Sequence, residues 1–222
     1  ISATAVGGMG QGIRAAALVV ERLARECPST AMITCMHFSG TAVLEKFGAE
    51  QVRRDIAAGR HLSTLAFSEQ GSRSHFWAPV SSAARDAGGV RLKAHKSFVT
   101  SANHATAYVW SSKPTDGAQP STLWLVPRTT PGLTIGRAFD GLGLRGNDSA
   151  SISADGAVIP ESARLGADGG GFAAMMEVVL PVFNAMNAAC SVGIMETGVA
   201  RAAAQVSASR LEHAGSTIAD LP

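Results

Sequence analysis

The stretch Leu62-Ser-Thr-Leu-Ala-Phe-Ser-Glu-Gln-Gly-Ser-Arg-Ser-His75 is followed further along the chain by His95-Lys-Ser-Phe-Val-Thr-Ser-Ala-Asn-His104. The first segment begins as an apolar strand and opens into a loop of hydroxyl and backbone N–H groups around Gly71. The second places a lysine and an aromatic residue before Thr100, at the end of another predicted strand. Two such strand ends can bring hydroxyl donors to one place, an arrangement that suits the polar edge of a cofactor.

These two segments resemble motifs of the acyl-CoA dehydrogenase family. Ser68-Glu-Gln-Gly-Ser-Arg-Ser-His75 is similar to the family's Thr-Glu-Pro-x-x-Gly-Ser-Asp loop, and Lys96-Ser-Phe-Val-Thr100 is similar to its Lys-x-Trp-Ile-Thr strand. The resemblance covers almost the whole chain, and its specificity lies in the order of the motifs. The other similar segments are residues 6–10, 23–29, 141–148, 158–160 and 169–172.

The composition is that of a globular protein. Of its 222 residues, 46% are hydrophobic and 16% are charged, which is too apolar for disorder and sufficient for one large or two modest cores. A net charge of +2 without a basic run argues against a nucleic-acid partner. Cys27, Cys35 and Cys190 show neither a disulfide framework nor ligand spacing, so a reducing, cytoplasmic location is expected.

The N-terminal part of the sequence is predicted to be helical. Residues 11–27 carry apolar side chains at three- and four-residue spacing, which is typical of an amphipathic helix. Ser29 is expected to cap a second, almost wholly apolar helix through Phe38, and Gly48 is expected to close a short helix after it. Residues 49–58 predict one more helix.

The pattern then changes to short segments separated by turn residues, which predicts a β-barrel or sandwich. A turn is expected at Asp155-Gly156 among other places. Helix returns from Gly171, with a break or a new start expected at Pro181. The predicted strands are residues 62–67, 90–94, 106–111, 122–126, 133–139 and 150–153.

Helices, then strands, then helices is the order of the acyl-CoA dehydrogenase fold. The predicted fold class is therefore α+β, with an N-terminal helical domain (1–61), a middle β-barrel or sandwich domain (62–165) and the start of a C-terminal helical bundle (166–222). The family has more helix on both sides of such a segment, so a partial chain is expected.

Two other kinds of site are disfavoured. Gly141-Leu-Gly-Leu-Arg-Gly146 matches a dinucleotide-binding pattern, but it lies between β segments and lacks the strand-to-helix turn that binds a pyrophosphate. The six histidines show no HxxxH or HExxH spacing, so no metal site is expected.

The resemblance implies FAD as the cofactor and assigns four residues to it. In the family, the positions of Ser68 and Thr100 contact the flavin ring, that of Ser74 contacts the pyrophosphate, and that of Phe98 packs beside the flavin. Hydroxyl and backbone donors at the flavin edge would stabilise the charge that arrives with a hydride, while the cofactor performs the redox chemistry.

The sequence also departs from the family's pattern. Arg73 and His75 stand where the family has a glycine and an aspartate, which adds positive charge to the loop. Many members carry a charged cluster with an acyl-CoA-binding arginine in the helix after Gly171, whereas residues 180–185 read Leu-Pro-Val-Phe-Asn-Ala here. Arg73, His75 and Asn184 are therefore the candidate substrate contacts.

The function that the resemblance implies is FAD-dependent α,β-dehydrogenation of a small-molecule acyl thioester. A carboxylate would remove the α proton while the β hydrogen leaves as hydride, and that base is expected beyond Pro222. Two alternatives stay open: a flavin-dependent monooxygenase on the same fold, and a non-catalytic partner subunit of a heteromeric flavoprotein.

The uncharged stretch at residues 178–195 is long enough to test as a membrane span. Pro181, Asn184, Asn187 and Ser191 argue against a span, and a helix buried against other helices or a second subunit is the preferred interpretation. A homodimer or homotetramer is expected, with a heteromeric assembly as the alternative.

Overall fold

The computed structural model describes residues 1–73 and 75–221. After a 3-10 turn, three helices form the N-terminal part: α1 (Ile13–Glu26), α2 (Pro28–Phe47) and α3 (Glu50–Ala57). The apolar face of α1, including the fully buried Val20 and Ala24, packs into a core shared with α2. The three- and four-residue spacing of the sequence predicted this face.

Helix α2 differs from the prediction at its start and in its middle. Cys27, and not Ser29, occupies the N-cap position, because the proline that follows Cys27 enters the first turn, where its missing N–H costs no hydrogen bond. No break follows Phe38. Ser39 donates its hydroxyl to the carbonyl four residues earlier at 2.9 Å, so this polar residue is satisfied inside the continuous helix.

The middle of the chain is a β domain. Its strands are β1 (Ser63–Ala66), β2 (Ser82–Asp86), β3 (Gly89–Val99), β4 (Ala107–Ser112), β5 (Thr122–Pro127), β6 (Leu133–Ile135), β7 (Ala150–Ile159) and β8 (Arg164–Leu165). Within the described residues they form two four-stranded sheets, in the orders β1-β4-β5-β8 and β2-β3-β7-β6. Strand β1 pairs with β4 in parallel, and the other neighbours are antiparallel.

Large aromatic side chains fill the main core of the β domain. Tyr108, Trp110 and Trp124 are fully buried there. Their polar atoms are partly satisfied, since the Tyr108 hydroxyl donates to the Ala102 carbonyl (2.6 Å) and Trp124 Nε1 donates to Ser112 Oγ (2.9 Å). The buried strands β4 and β5 thus contribute the large side chains of this core, and the hydrogen-bond partners come from β4 and from the loop that precedes it.

The turn predicted at Asp155-Gly156 is wrong, because both residues lie inside β7. Leu92 pairs with Ala157 and Lys93 pairs with Asp155, so Gly156 is an extra residue in the ladder. Its φ of +75° is a conformation that glycine adopts at little cost, and it identifies a β-bulge.

Two further strands differ from the predicted ones. Strand β2 was not predicted, since its serine, alanine and arginine residues carry little β propensity, and it forms by hairpin pairing with β3. Strand β6 ends after three residues. The backbone beyond it still pairs irregularly, with Gly136 N donating to Ser151 O and Phe139 N donating to Ser149 O, both at 2.8 Å.

One long helix, α4 (Gly171–Ala208), follows the β domain. The helix does not break at Pro181, but regular α-helical geometry starts again at Leu180, with Pro181 in its first turn, which agrees with the new start that was the other prediction. A π-helical turn at Met175–Val179 lies directly before the proline, and this wider turn relieves the crowding and the missing donor that proline introduces into a helix. A short hairpin of β9 (Arg210–Leu211) and β10 (Ser216–Thr217) comes next.

Helix α4 packs mainly on α1 and α2. Met186, Ala189 and Cys190 of α4 are buried in the same core cluster as the apolar face of α1. By length and composition alone α4 would pass as a membrane-crossing helix, a test that core helices of soluble proteins also pass. Helices, a middle β domain and a further helix appear in the predicted order, which confirms the predicted fold class.

Candidate functional site

A cavity of about 320 Å³ lies where β1, β3, α2 and α4 meet. Its wall is mostly apolar, and its polar groups come from Ser68, Ser97 and Asn184. Among the described residues that line it, none has a titratable side chain. The remaining lining residues are Met36, Leu65, Phe67, Phe76, Phe98, Val179, Leu180 and Phe183.

The two segments singled out in the sequence meet at the rim of this cavity. Ser68 follows the end of β1 and is exposed, and the backbone N–H of Ser97 donates to the Ser68 carbonyl at 2.9 Å. The next residue pair, Glu69 and Lys96, forms an antiparallel β-bridge. The loop after β1 is thereby attached to the end of β3.

A buried ion pair lies directly behind this rim. The Lys96 ammonium contacts the Glu69 carboxylate, and both side chains are completely buried. Lys96 Nζ also donates to the Ser111 carbonyl (2.6 Å) and to Ser111 Oγ (3.0 Å), and lies 5.0 Å from the centre of the Trp110 ring. The carboxylate accepts the backbone N–H groups of Val80 (2.6 Å) and Ser81 (2.9 Å).

Both members of the pair have shifted pKa values. Burial lowers the pKa of Lys96 to about 8, against the opposing attraction of Glu69. For Glu69, burial acts to raise the pKa, but the Lys96 charge and hydrogen bonds from Lys96 and Ser81 together hold the pKa below its ordinary value. The pair is therefore ionised at neutral pH. Neither residue was assigned a role from the sequence, because one lysine and one glutamate near apolar strands do not show whether they will be buried together.

Phe98 projects from the strand end. It takes a left-handed backbone conformation (φ 52°), which is uncommon for a residue with a bulky side chain, and the register of β3 against β7 shifts between Lys96 and Val99. Its ring is 70% exposed at the cavity rim and lies 5.0 Å from the ring of Phe139. The bulge thus presents an aromatic face to the cavity mouth.

Thr100 lies beyond the cavity wall. It is buried, and its hydroxyl is 3.4 Å from Ser149 Oγ. The chain after it is fixed by Ser101 N and Ala102 N, which donate to the carbonyls of Asn147 (2.9 Å) and Asp148 (3.0 Å). The structure therefore brings Ser68 and Phe98 to the cavity and leaves Thr100 near it without lining it.

The predicted cationic residues lie on the loop after Ser68. Arg73 has a left-handed backbone (φ 51°) and is exposed, and the ring of His75 stacks on Trp77 with centroids 5.0 Å apart. Neither of them is among the cavity-lining residues. The predicted pyrophosphate contact Ser74 lies outside the described residues.

Asn184 is exposed at the cavity and belongs to the wall that α4 contributes. Val179, Leu180 and Phe183 form the apolar part of that wall. The π-helical turn ends at Val179 and sets the direction in which these side chains leave the helix. Among the residues that the structure describes, no group of three or more His, Cys, Asp or Glu side chains forms a metal site.

Comparison with known proteins agrees with this architecture. Residues 2–59 match the model of the acyl-CoA dehydrogenase N-terminal domain, and residues 64–157 match that of the middle domain. An acyl-CoA dehydrogenase of Bacillus subtilis is 27% identical over 94% of this chain and 53% of its own length. The human mitochondrial short-chain specific acyl-CoA dehydrogenase is 31% identical over 78% of this chain and 44% of its own length.

The crystal structure of acyl-CoA dehydrogenase from Geobacillus kaustophilus superposes with a TM-score of 0.90 at 22% identity, over 99% of this chain and 59% of the other. The chain belongs to the acyl-CoA dehydrogenase family. It spans about half the length of the curated relatives that it matches.

Proposed function

We propose that the full-length protein is an FAD-dependent oxidoreductase that dehydrogenates an acyl thioester between its α and β carbons. The observation that carries the proposal is the cavity, in which a hydroxyl rim, an exposed aromatic ring and an apolar wall meet in a chain of this family. The relatives are named acyl-CoA dehydrogenases, and the reaction of this protein is inferred from that likeness together with the site.

The residues present fit a flavin. Phe98 offers an exposed aromatic face for a planar ring, and the hydroxyls of Ser68 and Ser97 supply donors beside it. A bound flavin would supply the hydride acceptor. The Ser68 hydroxyl would hold the ring edge, and Thr100 would support the strand end from behind through its contact with Ser149.

The apolar wall of the cavity would receive the acyl group and exclude water. Leu65, Phe67, Phe76 and Phe183 surround the space with hydrocarbon and aromatic surface. Removal of the α proton needs a base, and the described lining residues contain no carboxylate. We therefore place the catalytic base in the segment that follows Pro222.

The carrier, which is the thiol-bearing group to which the acyl chain is attached, would contact a neutral surface at α4. Asn184 can donate and accept single hydrogen bonds, whereas an arginine would add a charge-assisted pair worth about 1.5–3 kcal/mol. Positive charge lies instead at Arg73, on the loop after Ser68 that also carries His75. We propose that an anionic group of the substrate or cofactor is attracted there.

The cofactor is tested by titrating the full-length protein with FAD and following flavin absorbance and fluorescence. We expect non-covalent binding, weakened several-fold in Ser68→Ala, because one hydrogen bond contributes about 0.5–1.5 kcal/mol. A protein that acquires no flavin band after reconstitution would contradict the proposal.

The substrate is tested with a panel of short and long acyl-CoAs and an artificial electron acceptor. Asn184→Arg is expected to lower the KM for acyl-CoA, while Asn187→Arg, exposed one turn further along the same helix but outside the cavity, serves as the matched control. We propose that acyl-CoA recognition here differs from the arginine-based recognition of other family members. This would be refuted if the unmodified protein turned over simple acyl-CoAs efficiently and Arg73→Ala had no effect.

The lack of a carboxylate among the described lining residues also supports a second candidate, a flavin-dependent monooxygenase, which needs no such base. Oxygen uptake with reduced flavin separates the two reactions. A non-catalytic partner subunit would instead purify alone as a colourless and unstable protein.

We also propose a homodimer or homotetramer in a reducing, cytoplasmic environment. Met195 and Val199 on α4 are largely exposed apolar side chains, and Cys27, Cys35 and Cys190 are free thiols. Sedimentation that shows a stable folded monomer at micromolar concentration would remove the basis for the assembly.

A further inference from the structure

We propose that the buried Glu69–Lys96 ion pair is a positioning element that holds Ser68 and Ser97 together and so fixes the rim of the cavity. The geometry that supports this is a direct chain of contacts. Each member of the pair is adjacent in sequence to a rim residue, Glu69 to Ser68 and Lys96 to Ser97. Their backbones form the bridge that joins the two segments, and the Ser97 N–H to Ser68 carbonyl bond lies beside it.

The pair is anchored to the rest of the β domain on both sides. Lys96 donates to the Ser111 carbonyl and hydroxyl on β4, and Glu69 accepts from Val80 and Ser81, which precede β2. The Ser81 hydroxyl links the two sides, since it lies 2.5 Å from Glu69 Oε1 and 3.0 Å from the Ser111 carbonyl. The loop after β1 is thus tied to three other segments through one carboxylate.

Stability alone does not explain a completely buried ion pair. The desolvation of two charges offsets much of their attraction, and replacing such a pair with neutral side chains of similar volume is often neutral or stabilising. What the pair does supply is a unique register, because only one alignment of the loop and β3 satisfies every charge and donor. That register is needed where Phe98 leaves the ladder at the bulge.

The test uses the neutral double variant Glu69→Gln/Lys96→Met. The glutamine oxygen can still accept the Val80 and Ser81 N–H groups, and its amide can donate to the Ser81 hydroxyl, which itself donates to the Ser111 carbonyl. The variant thus removes the charges without leaving these backbone donors unpaired. The matched control is Asp168→Asn, which weakens a hydrogen-bonded cluster with Thr115 and Thr122 away from the cavity.

The first measurement is amide hydrogen exchange in the full-length protein. We expect exchange at Ser97 and in residues 68–71 to accelerate about tenfold or more in the double variant, beyond any change in global stability, and to follow global stability alone in Asp168→Asn. Equal protection at Ser97 in the double variant and in the unmodified protein would overturn the inference. The outcome of this exchange measurement does not depend on whether the protein binds a flavin.

The second measurement is the affinity for FAD, and it rests on the proposed function. We expect the dissociation constant of the double variant to rise about tenfold, the lower end of what loss of a supporting residue costs at metal sites, while Asp168→Asn keeps the affinity of the unmodified protein. If the unmodified protein binds no FAD, the proposed function fails, and the exchange measurement still decides whether the pair fixes the rim. Unchanged FAD affinity in the double variant would overturn the positioning role.

Discussion

Replacing Gly193 with alanine tests the packing of α4 against α1, because this glycine lies in close contact with α1. A Cβ atom at position 193 would lie 2.3 Å from the Glu21 carbonyl oxygen and 2.8 Å from Ala24 Cβ. The oxygen belongs to the backbone of α1, so no side-chain rotation can relieve the contact. Moving the helices apart would also strain the bond from the Thr197 hydroxyl to the Arg25 carbonyl, which is 2.8 Å long.

Gly198 provides a control on the same helix. It is exposed, and a Cβ atom there would meet no heavy atom within 4 Å. Alanine is favoured over glycine in a helix interior by about 1 kcal/mol, and this gain applies at both positions. At Gly193 it is opposed by an overpacking cost of about 1–3 kcal/mol, and backbone contact places the cost at the upper end.

We therefore expect Gly198→Ala to stabilise the protein by about 1 kcal/mol and Gly193→Ala to destabilise it by about 1–2 kcal/mol. The two variants would differ in melting temperature by about 5–10 °C for a chain of this size. Urea unfolding followed by far-UV circular dichroism measures the free energies of both. If Gly193→Ala is as stable as Gly198→Ala, the close approach of α4 to α1 is wrong.

Three further outcomes follow from charges and exposed surface. Burial lowers the pKa of His37 to about 4, and its Nδ1 accepts the Ser63 N–H at 3.1 Å, so the unfolded chain binds a proton at a higher pH than the folded chain does. The free energy of unfolding should therefore fall by about 2.5 kcal/mol between pH 6.5 and 4, and urea unfolding against pH should show that this contribution is absent in His37→Asn. Asp168→Asn should lower the free energy of unfolding by about 2 kcal/mol at neutral pH, because the bonds to Thr115 and Thr122 become weaker. This difference from the unmodified protein should shrink below pH 4, since protonation of the low-pKa Asp168 carboxylate weakens the same bonds, and an unchanged difference at pH 3 would contradict this. Charged substitutions on the exposed face of α4 should shift sedimentation toward smaller species, and identical sedimentation would argue against an interface there.

The helices and the order of elements were predictable because local patterns determine them. The three- and four-residue spacing of α1 depends on neighbours within two turns, so it can be read directly from the sequence. The break predicted in α2 did not occur, and at Pro181 the helix makes a new start without a break, because local breakers act differently in different surroundings. A hydroxyl bonded back to its own helix, and a π-helical turn before the proline, each removed the reason for a break.

Strand details depended on partners that the sequence does not reveal. Strand β2 exists because β3 pairs with it, and Gly156 is a bulge, and not a turn, because Leu92 and Lys93 continue the ladder on either side of it. A dipeptide of aspartate and glycine has the same local preferences in both settings, so pairing across the sheet decides between them.

The site was predictable to the extent that it followed the motifs. Ser68, Phe98 and Asn184 do meet at one cavity, whereas Arg73 and His75 do not line it. The Glu69–Lys96 pair was missed because single charges near apolar strands give no indication of whether they will be buried together. Convergence of β1, β3 and α4 is a tertiary property, and no spacing in the sequence encodes it.

The cavity joins the two kinds of structure in the chain, and this couples its shape to the packing of the helices. Its hydroxyl rim belongs to the β domain and lies in front of the buried ion pair, while the part of its apolar wall formed by Val179, Leu180 and Phe183 belongs to α4. Further along, the same helix is held against α1 by the close contact at Gly193. Because an α-helix transmits a displacement along its length, a clash at Gly193 would move the wall relative to the rim. A ligand that contacts both would favour the native arrangement of α4, so its binding free energy and the stability of the helical packing are linked.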